Sequence, residues 1–161
     1  MSKKPLILGI ESSCDETAAS LITENEQGIP IILSNIVSSQ VDVHREFGGV
    51  VPELAARSHL EKLQNMTISL FNKSKINPKS IDLFTATCGP GLIGSLLVGS
   101  TFTKSLSIGC KKPFVPMNHL EGHILSTSFN NEIVYPQLVL LLTGGHTQIY
   151  LMQEARKIEI I

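Results

Sequence analysis

The 161-residue sequence has no tryptophan and only 5% aromatic residues. It therefore lacks the row of stacking side chains with which a single-strand nucleic-acid binder grips successive bases. It also has no excess of charge: thirteen basic residues stand against fourteen acidic ones, a net charge of -1. No broad field draws such a chain onto nucleic acid, so a nucleic-acid partner would need a local patch or a helper protein. Cysteine is scarce. Cys14, Cys88 and Cys110 are odd in number, far apart and without CxxC spacing, which fits reduced thiols better than a disulfide framework. Long apolar runs are missing too: the run from Leu6 to Ile10 follows Lys3 and Lys4 and ends at Glu11, too short for a signal peptide or a membrane span. The expectation is a soluble, cytoplasmic protein with no membrane partner. What the chain does have is 42% hydrophobic residues, enough for the buried core of one ordinary domain.

The pattern along the chain is that of an α/β layer. Leu6 to Ile10 reads as a strand covered on both faces. The polar stretch from Glu11 to Thr17 turns it into a second strand over Ala18 to Thr23, and Asn25 to Gly28 turns that into a third over Ile29 to Val37. Gln40 to Gly49, with His44, Arg45 and Glu46, reads as an exposed loop. Pro52 suits the first turn of a helix, on which Leu60, Leu63, Thr67, Leu70 and Phe71 form the apolar stripe until about Lys75. A strand over Ile81 to Thr87, the turn Gly89-Pro90-Gly91, a helix over Leu92 to Ile108 without charge before Lys104, and a short strand at Phe114 and Val115 complete one mixed sheet. The uncharged helix, with Gly94 and Gly99, is expected to be buried against that sheet. Amides following the Gly-Pro-Gly turn could cradle an anion, but the same tripeptide is also an ordinary turn.

Asn118-His119-Leu120-Glu121-Gly122-His123 holds the most suggestive chemistry. Asn118 and Glu121 have the spacing of a capping box, which starts a helix here. His119 and His123 then lie one turn apart on one face, where two imidazoles can share a divalent metal or can simply be a surface pair. The positive end of the helix is expected to keep both rings neutral for ligation. Further on, Leu138 to Leu142, the polar turn Thr143-Gly144-Gly145-His146-Thr147 and Gln148 to Met152 repeat the strand, turn and strand of the opening. As a lone hairpin this tail is marginal, so everything after about Phe129 is expected to be the least stable part. Ala155 to Ile161 complete no recognisable element.

A strand, polar hairpin and strand opening each of two similar lobes resembles the actin, Hsp70 and sugar-kinase (ASKHA) superfamily. Within it, five blocks occur in an order that closely resembles the TsaD (YgjD, Kae, OSGEP) family: Gly9 to Thr17, Gly48 to Ala55, Gly89 to Leu92, His119 to His123, and Gly144 to Gln148. The resemblance covers essentially the whole chain. It implies threonylcarbamoyl transfer from threonylcarbamoyl-AMP to the adenosine 3′ of the tRNA anticodon, with tRNA, a TsaB-like protein and a TsaE-like protein as partners. By the same resemblance His119 and His123 are the metal ligands for iron or zinc. Leu142, Thr143, Gly144, Gly145 and His146 contact the acyl adenylate, and Asp15 and Glu16 are the catalytic acidic residues of the cleft, which orient the tRNA amine or a metal-bound water. Apart from the resemblance, those two carboxylates also suit an ordinary solvated turn.

The sequence departs from the family at Thr143, where Ser is more common, and at Asn118, where a further His is common. The larger departure is that the second lobe is missing, and with it the aspartate that the resemblance implies as a third ligand. Residues 1–130 are expected to form the first lobe and 131–161 the opening hairpin of the second, an amino-terminal part that alone binds metal weakly and turns over little. Two other readings compete. A metallopeptidase of the HExxH kind needs Glu beside the first histidine, where this chain has Leu120. A non-catalytic TsaB-like partner of the same fold has no use for the histidine pair.

Overall fold

The structure is a computed structural model, and it describes residues 3–145, 147–154 and 157–161. Five strands form one sheet in the order β3-β2-β1-β4-β5: β1 (Ile7–Glu11), β2 (Glu16–Glu24), β3 (Pro30–Ser39), β4 (Leu83–Gly89) and β5 (Phe114–Asn118). β1 pairs antiparallel with β2 and parallel with β4, and β4 pairs parallel with β5, so the sheet is mixed as expected. Its two long helices are α2 (Pro52–Ser74) and α3 (Ile93–Cys110). Leu8 and Ile10 from β1, Ala19 and Leu21 from β2, and Leu63 and Leu70 from α2 share one core, with Val98 and Phe102 of α3 packed against it. Both helices thus cover the same face. Side chains alternate along a strand, so Glu11 leaves that face for the opposite one.

Helix α3 is apolar but only narrowly buried. Ser95, Gly99, Thr103 and Ser107 recur every four residues as its buried stripe, whereas Ile93, Leu97 and Ile108 are exposed. The expectation of a buried helix therefore holds for the stripe alone. Small residues bring the helix backbone close to the sheet, Val98 and Phe102 flank them against the core, and Ile93, Leu97 and Ile108 are left on the exposed side. The contact centres on the turn between β1 and β2. A Cβ at Gly99 would lie 2.2 Å from Ser12 Oγ, and one at Gly91 would lie 2.6 Å from the Ser13 carbonyl oxygen. Ser12 Oγ donates to the Ser95 carbonyl at 2.8 Å and the Leu92 N–H donates to the Ser13 carbonyl at 2.8 Å. The Gly-Pro-Gly turn is thereby seated on the first hairpin.

Two expectations for the first half are corrected. Leu60, placed on the apolar stripe of α2, is 70% exposed, because the helix turns Leu63, Thr67 and Leu70 to the core and leaves Leu60 at the outer edge of its seam with α3. The segment 40–49 is not an exposed loop throughout. It contains the short helix α1 (Val41–His44) and a 3-10 turn over Arg45–Phe47, and His44 is buried, its Nδ1 accepting the Val51 N–H at 3.3 Å.

A buried polar cluster lies beneath the first turn. The Cys14 carbonyl can only accept, so His59 Nε2, 3.0 Å away, carries the proton. Its Nδ1 then accepts from the Thr17 hydroxyl at 2.7 Å and the Gln40 amide at 3.2 Å. The Gln40 backbone N–H donates to the Asp15 carbonyl at 2.9 Å. Both nitrogens of a fully buried imidazole are spent on holding residues 14–17.

The tail is more than a hairpin. β6 (Gln137–Leu142), β7 (Thr147–Glu154) and β8 (Lys157–Ile160) form a second, antiparallel sheet, so the last residues do complete an element. Leu141, Tyr150 and Met152 form a small core with Ile124, which lies on the helix α4 (His119–Leu125), and Leu120 packs against it. No described helix is long and apolar enough to cross a membrane.

Two predictions follow from this packing. Gly91→Ala pushes a methyl group into the Ser13 backbone and is expected to cost about 1–3 kcal/mol in urea unfolding; an unchanged midpoint would show that the turn is not held there. Burial pushes the His59 pKa below its ordinary 6.5, with Lys62 adding to the fall and the Cys14 carbonyl, Glu11 and Asp15 opposing it. A depressed folded pKa means that the unfolded chain takes up the proton first, so this stability is full above about pH 6.5 and is lost as the pH falls. Between about pH 7.5 and about pH 5.5 the urea midpoint is expected to drop more for the wild type than for His59→Gln. Equal drops would refute the assignment.

Candidate metal centre

The histidine segment folds as a capped helix at the end of a parallel strand. β5 runs to Asn118, whose side-chain oxygen accepts the N–H groups of Leu120 at 2.9 Å and Glu121 at 3.2 Å. Among the described residues no bond from the Glu121 carboxylate returns to Asn118, so the cap is one-sided rather than the expected box. α4 spans seven residues, enough to set His119 and His123 one turn apart. Leu120 and Ile124 face the second core, which turns the two histidines the other way.

The two rings meet. His119 Nε2 and His123 Nε2 are 3.2 Å apart, with ring centroids at 4.5 Å and planes inclined by 76°. Imidazole nitrogens that close share either a proton or an ion. With metal–nitrogen bonds of about 2.0–2.1 Å, nitrogens at this separation subtend about 100° at an ion between them, close to the tetrahedral value. The pair fits a divalent metal as two of its ligands. Among the described residues no group of three or more His, Cys, Asp or Glu is assembled for an ion, so further ligands would come from elsewhere.

A carboxylate that the sequence pattern did not single out lies behind the pair. His119 Nδ1 lies 3.3 Å from Glu11 Oε2 and 3.1 Å from Ser13 Oγ. Glu11 also accepts from the Ser13 N–H and from the Thr87 hydroxyl. Burial alone would raise the Glu11 pKa, but these hydrogen bonds from His119, Ser13 and Thr87 outweigh it and hold the group at about 2. The same contact with Glu11 raises the pKa of His119 against the effect of burial. Burial and then the neighbouring His119 lower that of His123. The neutral form is thus favoured at His123 by burial and by its neighbour, whereas at His119 the Glu11 carboxylate outweighs burial and favours the charged form, contrary to the expectation of a neutral ring. The clue available in the sequence was an acidic residue closing an otherwise apolar strand.

The remaining expected site residues take varied places. Asp15 is half-buried and Glu16 exposed at the start of β2, and Glu11 rather than either of them contacts the histidine pair. Leu142 ends β6, and Thr143, Gly144 and Gly145 form the turn after it. At both glycines a Cβ would meet nothing within 4 Å among the described residues, which leaves that side of the backbone open to a ligand. His146 lies outside the described residues.

Comparison with known proteins places this geometry. The family model described as TsaD, tRNA N6-adenosine threonylcarbamoyltransferase, matches residues 31–161. A tRNA N6-adenosine threonylcarbamoyltransferase of Pelagibacter ubique is 61% identical over 153 residues, covering 95% of this chain and 43% of that protein. One of Rickettsia canadensis is 52% identical over 155 residues, covering 96% and 44%. The chain thus spans somewhat under half the length of these curated relatives. Among solved structures, YeaZ from Pseudomonas aeruginosa superposes with a TM-score of 0.60 at 14% identity, covering 98% of this chain and 64% of that one. The Aquifex aeolicus PPX-GPPA enzyme does so with a TM-score of 0.54 at 13% identity, covering 98% and 52%. These likenesses establish the fold, an ASKHA-type lobe with a mixed five-stranded sheet. Matched by the family model over most of its length, and more than half identical to two proteins that bear the family's name, the chain belongs to the TsaD family.

Proposed function

We propose that this chain is the histidine-bearing part of a tRNA N6-adenosine threonylcarbamoyltransferase, which moves the threonylcarbamoyl group from threonylcarbamoyl-AMP to the adenosine 3′ of the tRNA anticodon. The observation that carries the proposal is the approach of His119 Nε2 to His123 Nε2 at 3.2 Å. In the reaction the exocyclic amine of adenosine forms a bond to the carbamoyl carbon and gives up a proton, while the carbon–oxygen bond to the phosphate breaks and AMP leaves with its electron pair. A divalent ion, iron or zinc, held by the two rings would supply Lewis acidity toward the carbonyl.

The chain's own residues supply position. His119 and His123 hold one side of the metal site. Asp15 and Glu16 are proposed to orient the incoming amine, supported by the hydrogen bonds that hold the backbone of their turn through His59 and Gln40. The backbone from Leu142 through Gly145, open at both glycines, is proposed to face the acyl donor with its amides, where N–H groups steady developing negative charge; His146 is proposed as part of the same segment. tRNA, a TsaB-like protein, a TsaE-like protein and a cytoplasmic location complete the proposal on the strength of the family.

The metallopeptidase alternative is disfavoured by Leu120. It occupies the position of the general-base Glu of an HExxH site, and it packs into the second core instead of facing the histidines. The test is reconstitution of the complete polypeptide that contains this chain with TsaB, TsaE, a TsaC-type synthase, threonine, bicarbonate, ATP and tRNA. Modified tRNA is expected with the wild type, with loss of both bound metal and product in His119→Ala/His123→Ala. Failure of the wild type to modify tRNA counts against the function, peptide cleavage that His119→Ala abolishes favours the peptidase, and equal metal content in wild type and double variant favours a non-catalytic scaffold.

A further inference from the structure

Glu11 is a carboxylate with an unusual address. It closes the central strand β1 and is held by donors from two separate parts of the fold. The Ser13 N–H of the first turn binds one oxygen, and the Thr87 hydroxyl from β4 binds the other. Ser13 and Thr87 are themselves buried, so the carboxylate has little freedom. Its second oxygen is 3.3 Å from His119 Nδ1.

The donor roles follow from chemistry. A carboxylate at neutral pH only accepts, so the hydrogen between Glu11 and His119 belongs to Nδ1. The Ser13 hydroxyl, 3.1 Å from the same nitrogen, is placed as a second acceptor for that hydrogen. A neutral imidazole carries one N–H. With it on Nδ1, the lone pair is left on Nε2, the atom that meets His123. Ligating histidines commonly have their second nitrogen fixed by a carboxylate in this way.

We propose that Glu11 is a positioning residue of the metal site: by accepting the Nδ1 proton of His119 it fixes the tautomer and ring orientation that present Nε2 to an ion shared with His123. This rests on the histidine pair being a metal site, as argued above.

An isosteric change gives a sharp test. In Glu11→Gln one oxygen becomes an NH2 group. It cannot face the Ser13 N–H, which only donates, so it takes the position beside Thr87 and His119; the Thr87 hydroxyl can rotate to accept. There the amide donates to His119 Nδ1, which moves the ring proton to Nε2 and blocks ligation. Nitrogen-15 NMR of the imidazoles, recorded at a pH above the raised His119 pKa so that the ring is neutral, is expected to show His119 of the wild-type chain protonated on Nδ1 and that of Glu11→Gln protonated on Nε2. Titration of the chain with Co²⁺ against a chromophoric chelator is expected to show Glu11→Gln binding about 10- to 100-fold more weakly.

Protonation of His119 on Nε2 in the wild type overturns the proposal without any variant being needed. Unchanged Co²⁺ affinity in Glu11→Gln, beside a loss in His119→Ala/His123→Ala, overturns it while leaving the metal site standing. If neither variant alters Co²⁺ binding, the metal site falls and the proposal with it.

Discussion

The site depends on the close seating of α3 against the turn that follows β1. At Gly91 and Gly99 there is no room for even a methyl group beside Ser12 and Ser13, so the helix backbone at Gly99 meets the Ser12 side chain and the chain at Gly91 meets the Ser13 backbone. Two hydrogen bonds, Ser12 Oγ to Ser95 O and Leu92 N to Ser13 O, tie them at 2.8 Å each. A turn gripped in this way cannot drift, and both groups behind His119 belong to it or adjoin it. Alternation then sorts the residues: Leu8 and Ile10 face the helices, Glu11 turns to the other side, and Ser12 returns toward α3. Packing on one face of the sheet thereby fixes a carboxylate on the other.

The histidines show how one residue type serves two ends. His59 has both nitrogens committed within the fold, one to a carbonyl and one to Thr17 and Gln40. His44 likewise meets Gln40 and the Val51 N–H. A buried imidazole so saturated has nothing left for a ligand and acts as a brace. Among the described residues His119 is committed on Nδ1 alone, and its Nε2 meets only another imidazole nitrogen. The distinction lies in unspent lone pairs, not in burial alone.

Much of this was legible in the sequence, and the gaps have physical causes. Short apolar runs bounded by turns place the main strands, and steps of three and four that include Leu63 and Leu70 place α2, since Leu8, Leu63 and Leu70 are buried for the reason that makes them apolar. The i, i+4 spacing of His119 and His123 and the cap at Asn118 stand out because they are local. Glu11 did not stand out. Its partners are 76 residues away at Thr87 and 108 away at His119, and no local pattern reports so long a separation. α3 was expected to be buried as a whole because it carries no charge before Lys104, whereas close packing selected only the stripe of Ser95, Gly99, Thr103 and Ser107. β8 was missed since its partner strand, not its own composition, makes it a strand.

The location of the pair follows from the topology. β1, β4 and β5 are parallel neighbours, so their carboxyl ends lie along one edge of the sheet. Glu11 is the last residue of β1, Thr87 lies near the end of β4, and His119 follows the last residue of β5. In open α/β sheets ligands bind at that edge, because each parallel strand delivers its next residue there and the chain must leave the sheet. The lobe shared with YeaZ and the PPX-GPPA enzyme therefore offers a place without prescribing a chemistry. In this chain the place is filled by an acceptor at the end of one strand, a donor at the end of the next, and a histidine helix after the third. Three strand ends converge on one imidazole ring, which is why a site assembled from distant parts of the sequence can have so definite a geometry.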